Sequence, residues 1–328
     1  MEGFALVGMD YHQWGLLTMG KPEEATAYAR RERENINVVL KELNKLTPID
    51  TKRVYVSGFS KGGWLSSMLL STFPDAFAGA IILGAGRIPV QAPEPSAAPY
   101  HRKPVFIGVG FDDPNYRHSV FGRGIYQKLG ARVTWREWPG LAHRYQHHDD
   151  ALPYWLLWER AQPDEEITRK LIEAWQPQWQ KRLDAALAQP TPLARYLALH
   201  DLKNHPLSRA STPEDRARFT QQLKEALTDP AVKTEHEVRK RYTQLVMKEM
   251  AIKRLADLEW VVAEYARLKK APHPTTLDVK IDAGYRLAKE ALDKSGRVVS
   301  RQGGSGSAKP LLNRGGRTIP GPPKINRR

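Results

Sequence analysis

Hydrophobic and polar positions divide the chain into two regimes. Up to about residue 160, short apolar runs alternate with longer amphipathic segments. The runs at residues 3–10, 53–57, 78–83, 104–110 and 131–138 are rich in β-branched and aromatic side chains and predict buried strands. Between them, residues 22–46 predict a helix, with Pro22 in its first turn and Ile36, Val39, Leu40 and Leu43 on one face. Residues 64–73 predict a helix stopped by Pro74, residues 116–129 one closed by Gly130, and residues 149–160 an aromatic-rich one. Residues 87–103 are proline-rich and predict an irregular excursion, placed to line a substrate cleft. Strands alternating with helices imply a doubly wound, mostly parallel sheet with right-handed crossovers. Beyond residue 162 the strand pattern stops. Residues 167–187, 213–227, 235–269 and 277–293 read as helices, without a fixed-period repeat. Residues 296–328, rich in Gly, Pro, Ser and Arg, predict disorder. The expected organisation is an α/β unit over 1–162, a helical region over 163–295 and a basic tail over 296–328.

Composition narrows the chemistry. The chain has 328 residues, 41% of them hydrophobic, and no apolar run has the length of a membrane span. It has no cysteine, which excludes a thiol nucleophile, a disulfide framework and thiolate metal sites. The formal net charge is +15, and residues 296–328 hold eight Lys and Arg and no acid. Over half of the excess therefore sits in the expected tail. No nucleic-acid motif accompanies it, so no specific nucleic-acid partner is expected. The first fifteen residues lack the basic start, long apolar core and small-residue cleavage site of a signal peptide, which leaves the compartment open. The sequence is equally silent on oligomeric state.

The chemistry-bearing residues gather at strand ends. Gly58-Phe59-Ser60-Lys61-Gly62 follows the strand at 53–57 and opens the helix at 64–73, the context of a G-x-S-x-G nucleophile elbow. The glycines suit a sharp turn in which side chains at Gly58 and Gly62 would meet neighbouring backbone. Asp112 and Asp113 come just past the strand at 104–110, and His143 just past the one at 131–138. In open α/β sheets, sites form at such carboxyl ends. Serine needs a base to become a nucleophile, and the base needs an orienting acid, so three residue types of one set on three strand ends weigh more than any alone. The ordinary alternatives are that the aspartates cap the helix after Pro114 and that His143, with His147 and His148, lies in a solvated loop. No paired spacing with a carboxylate marks a metal site.

The order Ser60, Asp, His143, with Gly58-Phe59-Ser60-Lys61-Gly62-Gly63, Gly110-Phe111-Asp112-Asp113-Pro114-Asn115 and Gly140-Leu141-Ala142-His143, resembles the α/β-hydrolase superfamily. Nearest are bacterial serine esterases of the phospholipase/carboxylesterase, dienelactone-hydrolase-like and polyhydroxybutyrate-depolymerase-like groups. The resemblance covers residues 3 to 160. It implies a carboxylic-ester hydrolase without a cofactor, acting on a small-molecule ester. Ser60 would attack, His143 would move the proton, and Asp113 would orient the imidazole. Asp113 is preferred to Asp112 because the family acid falls three residues after the strand-end glycine, here Gly110. The Lys61 backbone N–H would supply half of the oxyanion hole. The family sheet also has strands ahead of the run at 3–10, and a loop giving the second oxyanion donor. The stand-in here is His12-Gln13-Trp14-Gly15, and the expectation is an N-terminally short hydrolase unit. Two rival readings follow. One is a non-catalytic scaffold serving as a binding module, suggested by the missing strands and the basic tail. The other is a serine peptidase of prolyl-oligopeptidase type, suggested by the doubled glycine of the elbow, against which stands the absence of a propeller domain.

Overall fold

Four strands form one sheet among the described residues, which in this computed structural model are 4–9, 22–87, 97–162, 164–252 and 254–302. They are β1 (Tyr55–Phe59), β2 (Gly79–Leu83), β3 (Pro104–Gly110) and β4 (Arg132–Trp138), in the order β1-β2-β3-β4, each parallel to the next. Parallel neighbours need crossovers, and helices supply several of them. α1 (Pro22–Leu46) precedes β1, α2 (Lys61–Thr72) follows it, α3 (Tyr116–Lys128) joins β3 to β4, and α4 (Ala151–Ala161) follows β4. β2 is buried along its whole length and β3 nearly so. This explains why both read as continuous apolar runs rather than as alternations. The pleat still sorts their side chains. Ala80, Ile82, Val105 and Ile107 face α1–α3, whereas Ile81, Leu83 and Phe106 face Trp138 and Trp155 of α4.

The helical region consists of α5 (Glu165–Leu187), α6 (Pro192–Asn204), α7 (Pro213–Ala226), α8 (Pro230–Glu249), α9 (Leu255–Leu268) and α10 (Asp278–Gln302). α5 and α6 build a core around Trp175, Trp179, Leu183 and Leu199, which Tyr154 and Trp158 of α4 join. α8, α9 and α10 contribute Tyr242, Leu245, Val261, Tyr265 and Ile281 to the same hydrophobic cluster as Met68, Leu70 and Ile107. The sheet face under α1–α3 is therefore continuous with the last three helices.

Several expectations are corrected. Residues 4–9 form no strand, and Leu6 is 91% exposed. An apolar run becomes a strand only where a neighbour takes up its backbone groups, and none of the described strands pairs with it. The helix expected over 235–269 is two helices, α8 and α9, that pack together through Lys248 over the Trp260 ring and a bond from the Tyr265 hydroxyl to Glu249. α8 also begins earlier, at Pro230, where the Asp229 side chain caps the helix by accepting the Ala231 and Val232 N–H groups. α6 was not expected, although Thr191 caps it with Pro192 at its first position. α10 runs to Gln302, past the residue 296 at which disorder was expected to start. The stand-in loop at 12–15, part of the proline-rich excursion and residues 303–328 lie outside the described residues.

Candidate active site

Ser60 stands between the end of β1 and the start of α2, with φ 54° and ψ −117°. A non-glycine residue at positive φ is strained and needs surroundings that hold it. A Cβ on Gly58 would lie 2.2 Å from the Gly62 carbonyl carbon, and one on Gly63 would lie 2.7 Å from the Ala85 Cβ. The glycines let strand and helix approach closely enough to close the turn. The Ser60 N–H donates to the Leu83 carbonyl at 2.8 Å and ties the turn to β2.

The next two residues come from neighbouring strand ends. Past β3, the Asp113 N–H donates to the Gly110 carbonyl at 3.1 Å, and the Asp113 side chain is fully buried. Its Oδ1 accepts the Asn115 N–H at 2.7 Å, and the Asn115 amide donates to the Gly84 carbonyl at 2.8 Å. Asp112 is exposed. Past β4, the loop to His143 crosses directly over Gly110, where a Cβ would lie 2.2 Å from the Leu141 oxygen. The Asp112 N–H donates to that same oxygen at 2.9 Å. His143 Nδ1 then lies 2.8 Å from Asp113 Oδ2, and His143 Nε2 lies 2.7 Å from Ser60 Oγ. A carboxylate only accepts, so Nδ1 carries the ring proton and Nε2 is left to accept from the serine hydroxyl. Phe59 stacks on the imidazole at 4.9 Å between centroids and 28° between planes.

Of the expected residues, Ser60, Asp113 and His143 meet. Lys61 is adjacent as the first residue of α2, where a helix concentrates partial positive charge. Asp112, His147 and His148 stay outside this chain of hydrogen bonds, and His148 is exposed. Three supports had not been singled out: Phe59 over the imidazole, Asn115 bracing the acid, and Lys280 of α10, whose Nζ donates to the Phe111 carbonyl. Asn115 lies inside the acid motif. Lys280 has no local signal, because 169 residues separate it from its acceptor.

A different cluster, Asp149, Asp150 and His205, brings its ligand atoms within 4.8 Å of one another. Asp149 already takes Arg136 at 3.1 Å and the Trp138 indole N–H at 2.5 Å. Asp150 takes His205 at 3.1 Å and Arg182. A cation there would compete with two guanidinium groups, so these donors fit a metal poorly.

Residues 4–149 match the family model of Phospholipase/Carboxylesterase, under half of the chain. The parallel sheet with its flanking helices over this stretch fits an α/β-hydrolase-like fold. The stretch contains the four strands and all three hydrogen-bonded residues. Among solved structures, the chain is similar to SOBER1 of Arabidopsis thaliana, with 15% identity, 40% of this chain and 64% of that chain covered, and a TM-score of 0.33. It is also similar to a thermostable esterase, with 22% identity, 42% and 35% coverage, and a TM-score of 0.28. The chain spans less than two thirds of the length of these proteins. No curated protein matches it.

Proposed function

We propose that this protein is a serine hydrolase that cleaves small-molecule carboxylic esters through an acyl-enzyme, without a cofactor. The observation that carries the reading is the hydrogen-bonded chain from Ser60 Oγ to His143 Nε2 and from His143 Nδ1 to Asp113 Oδ2. In this reading His143 takes the hydroxyl proton as Ser60 Oγ bonds to the ester carbonyl carbon. The carbonyl oxygen becomes an oxyanion facing the Lys61 N–H. One such donor is worth about 3 kcal/mol of transition-state stabilisation. His143 then gives its proton to the departing alkoxide, leaving an acyl group on Ser60. A water, deprotonated by His143, attacks that group, and Ser60 recovers its proton as the acid leaves. Asp113 holds the ring orientation and stabilises the imidazolium in both halves. Residues 1–162 act as the catalytic unit in this reading, and 163–295 as its helical companion.

A fluorophosphonate probe tests the proposal, because it phosphonylates only an activated serine. The wild-type chain should be labelled at Ser60 and should hydrolyse p-nitrophenyl acetate, and Ser60→Ala should do neither. A wild-type chain that resists the probe while correctly folded would be a binding scaffold on a hydrolase fold. Labelling and turnover that survive Ser60→Ala would place the nucleophile elsewhere.

A further inference from the structure

The loop that carries Asp113 is held from two sides. From the sheet side, the Phe111 N–H donates to the Trp138 carbonyl at 2.8 Å and the Asp112 N–H to the Leu141 carbonyl at 2.9 Å. From the other side it meets α10. The Lys280 Nζ donates to the Phe111 carbonyl, two residues before the acid. It also sits 4.2 Å from the ring centroids of both Phe111 and Tyr116, which pack edge-to-face 5.3 Å apart. The Tyr116 hydroxyl donates to Glu137 at 2.5 Å. Burial pulls the Lys280 pKa down, while Asp112, Glu137 and Asp113 act in the opposite direction. The ammonium is thus lodged between two aromatic faces and a carbonyl. Such a cation–π contact strengthens as water is removed.

We propose that Lys280 is a positioning residue for Asp113, and that α10 thereby forms part of the support of the active site. The inference rests on the serine-hydrolase reading above. On the loop's outer side, the bond from Lys280 to the Phe111 carbonyl ties the loop to α10, an element outside the sheet and the loop's own helix. Without that donor, Phe111 and the two aspartates after it are held by the sheet-side bonds alone, and the loop loses its brace against α10. A misplacement of about 1 Å in a catalytic constellation costs up to about a hundredfold in rate.

The test uses the full chain with Lys280→Met, which keeps the apolar stem and removes the donor and charge, and with Lys280→Arg, which keeps both. Turnover of p-nitrophenyl acetate is expressed per Ser60 titrated with fluorophosphonate, so that unfolded protein does not count. Lys280→Met is expected to lower kcat about tenfold with KM changed less than about twofold, and Lys280→Arg to restore most of it. A second readout does not need turnover: the far-downfield proton resonance of His143 Nδ1–H, identified by its absence in His143→Ala. It should broaden or vanish in Lys280→Met and return in Lys280→Arg. Unchanged kcat per site with an intact resonance in Lys280→Met overturns the inference. So does a loss that Lys280→Arg leaves unrestored, or one confined to a smaller titratable fraction. If the wild-type chain is not labelled at Ser60, the hydrolase reading fails by itself, and the resonance alone decides whether Lys280 holds Asp113.

Discussion

Asp112 and Asp113 are neighbours in sequence with the same side chain, and their surroundings separate them. Asp112 points to solvent, whereas the Asp113 carboxyl is fully buried, with one oxygen on the Asn115 N–H and the other on His143. An amide at 113 keeps the shape but offers the imidazole a donor as readily as an acceptor, which favours the wrong tautomer. On the proposed chemistry, Asp113→Asn should lower kcat about 10³- to 10⁴-fold, and Asp112→Asn should stay within about threefold of wild type. Rates of Ser60 phosphonylation, measured beside thermal melts to show that both variants fold, check this. Equal losses in the two variants would mean that the acid is not Asp113. The strain at Ser60 belongs to the same scale. Its positive φ is held by the contact of Gly58 with Gly62 and by the bond from the Ser60 N–H to β2.

Elements with strong local signals were legible in the sequence. β3 spans the expected 104–110 and α1 the expected 22–46, because unbroken apolar periodicity and flanking prolines leave no rival structure. The first strand shifts to 55–59 because Asp50 caps a short helical turn at Thr51–Arg53, accepting the Lys52 N–H. What stayed illegible depends on distant partners. The segment between α8 and α9 contains neither Gly nor Pro, so periodicity alone runs the two helices together. The strand-end positions of the hydrogen-bonded Ser60, His143 and Asp113 could be read from spacing and family likeness, whereas the contact of Lys280 with Phe111 could not, because only tertiary packing brings the two together. The joint between α8 and the segment before α10 has the same character. Glu235 is fully buried, accepts Arg239 Nε at 2.5 Å and the Thr276 N–H at 2.8 Å, and Arg239 continues to Glu137 of β4 at 3.0 Å. Burial acts to lower the Arg239 pKa, but Glu137, Tyr116 and Glu235 outweigh it and the group stays charged. Removing Glu235 takes away one of the two acids that balance the buried Arg239 and leaves Glu137 alone to do so. Glu235→Ala should therefore cost about 3 kcal/mol in urea unfolding. A change under about 1 kcal/mol would show that water or Glu137 replaces the lost contact.

For the whole molecule, partly and fully buried imidazoles contribute to how stability follows pH. His118 on α3 stands edge-on to Trp64, 5.0 Å between centroids, and burial, then Arg117, bring its pKa down to about 4 from 6.5. His200 on α6 is also brought down to about 4, first by burial and then by Arg239, with Glu137 opposing and Arg123 and Lys203 adding to the fall. His205 moves in the same direction, again through burial first, against its bond to Asp150. The unfolded chain takes up these protons near pH 6.5, and the folded chain only near 4 for His118 and His200. Between those values the unfolded state holds more protons on these two rings, so their contribution lowers stability as pH drops from 6.5 towards 4. Each of the two shifts is worth at most about 3 kcal/mol, reached only below pH 4. Asp150 extends the loss. Burial acts to raise it, but the His205 bond and Arg182 bring it down to about 2, so its contribution is complete above 3.8 and fades as pH falls through 2. Its partial exposure keeps that contribution small. Urea midpoints for the wild-type chain should therefore decline steadily from pH 7 to 4.5, and His118→Phe combined with His200→Phe should flatten the decline. A wild-type midpoint that holds constant over this window would mean that both rings take up protons in the folded chain as easily as in the unfolded one, and that the surroundings of α3 and α6 are wetter than their packing implies.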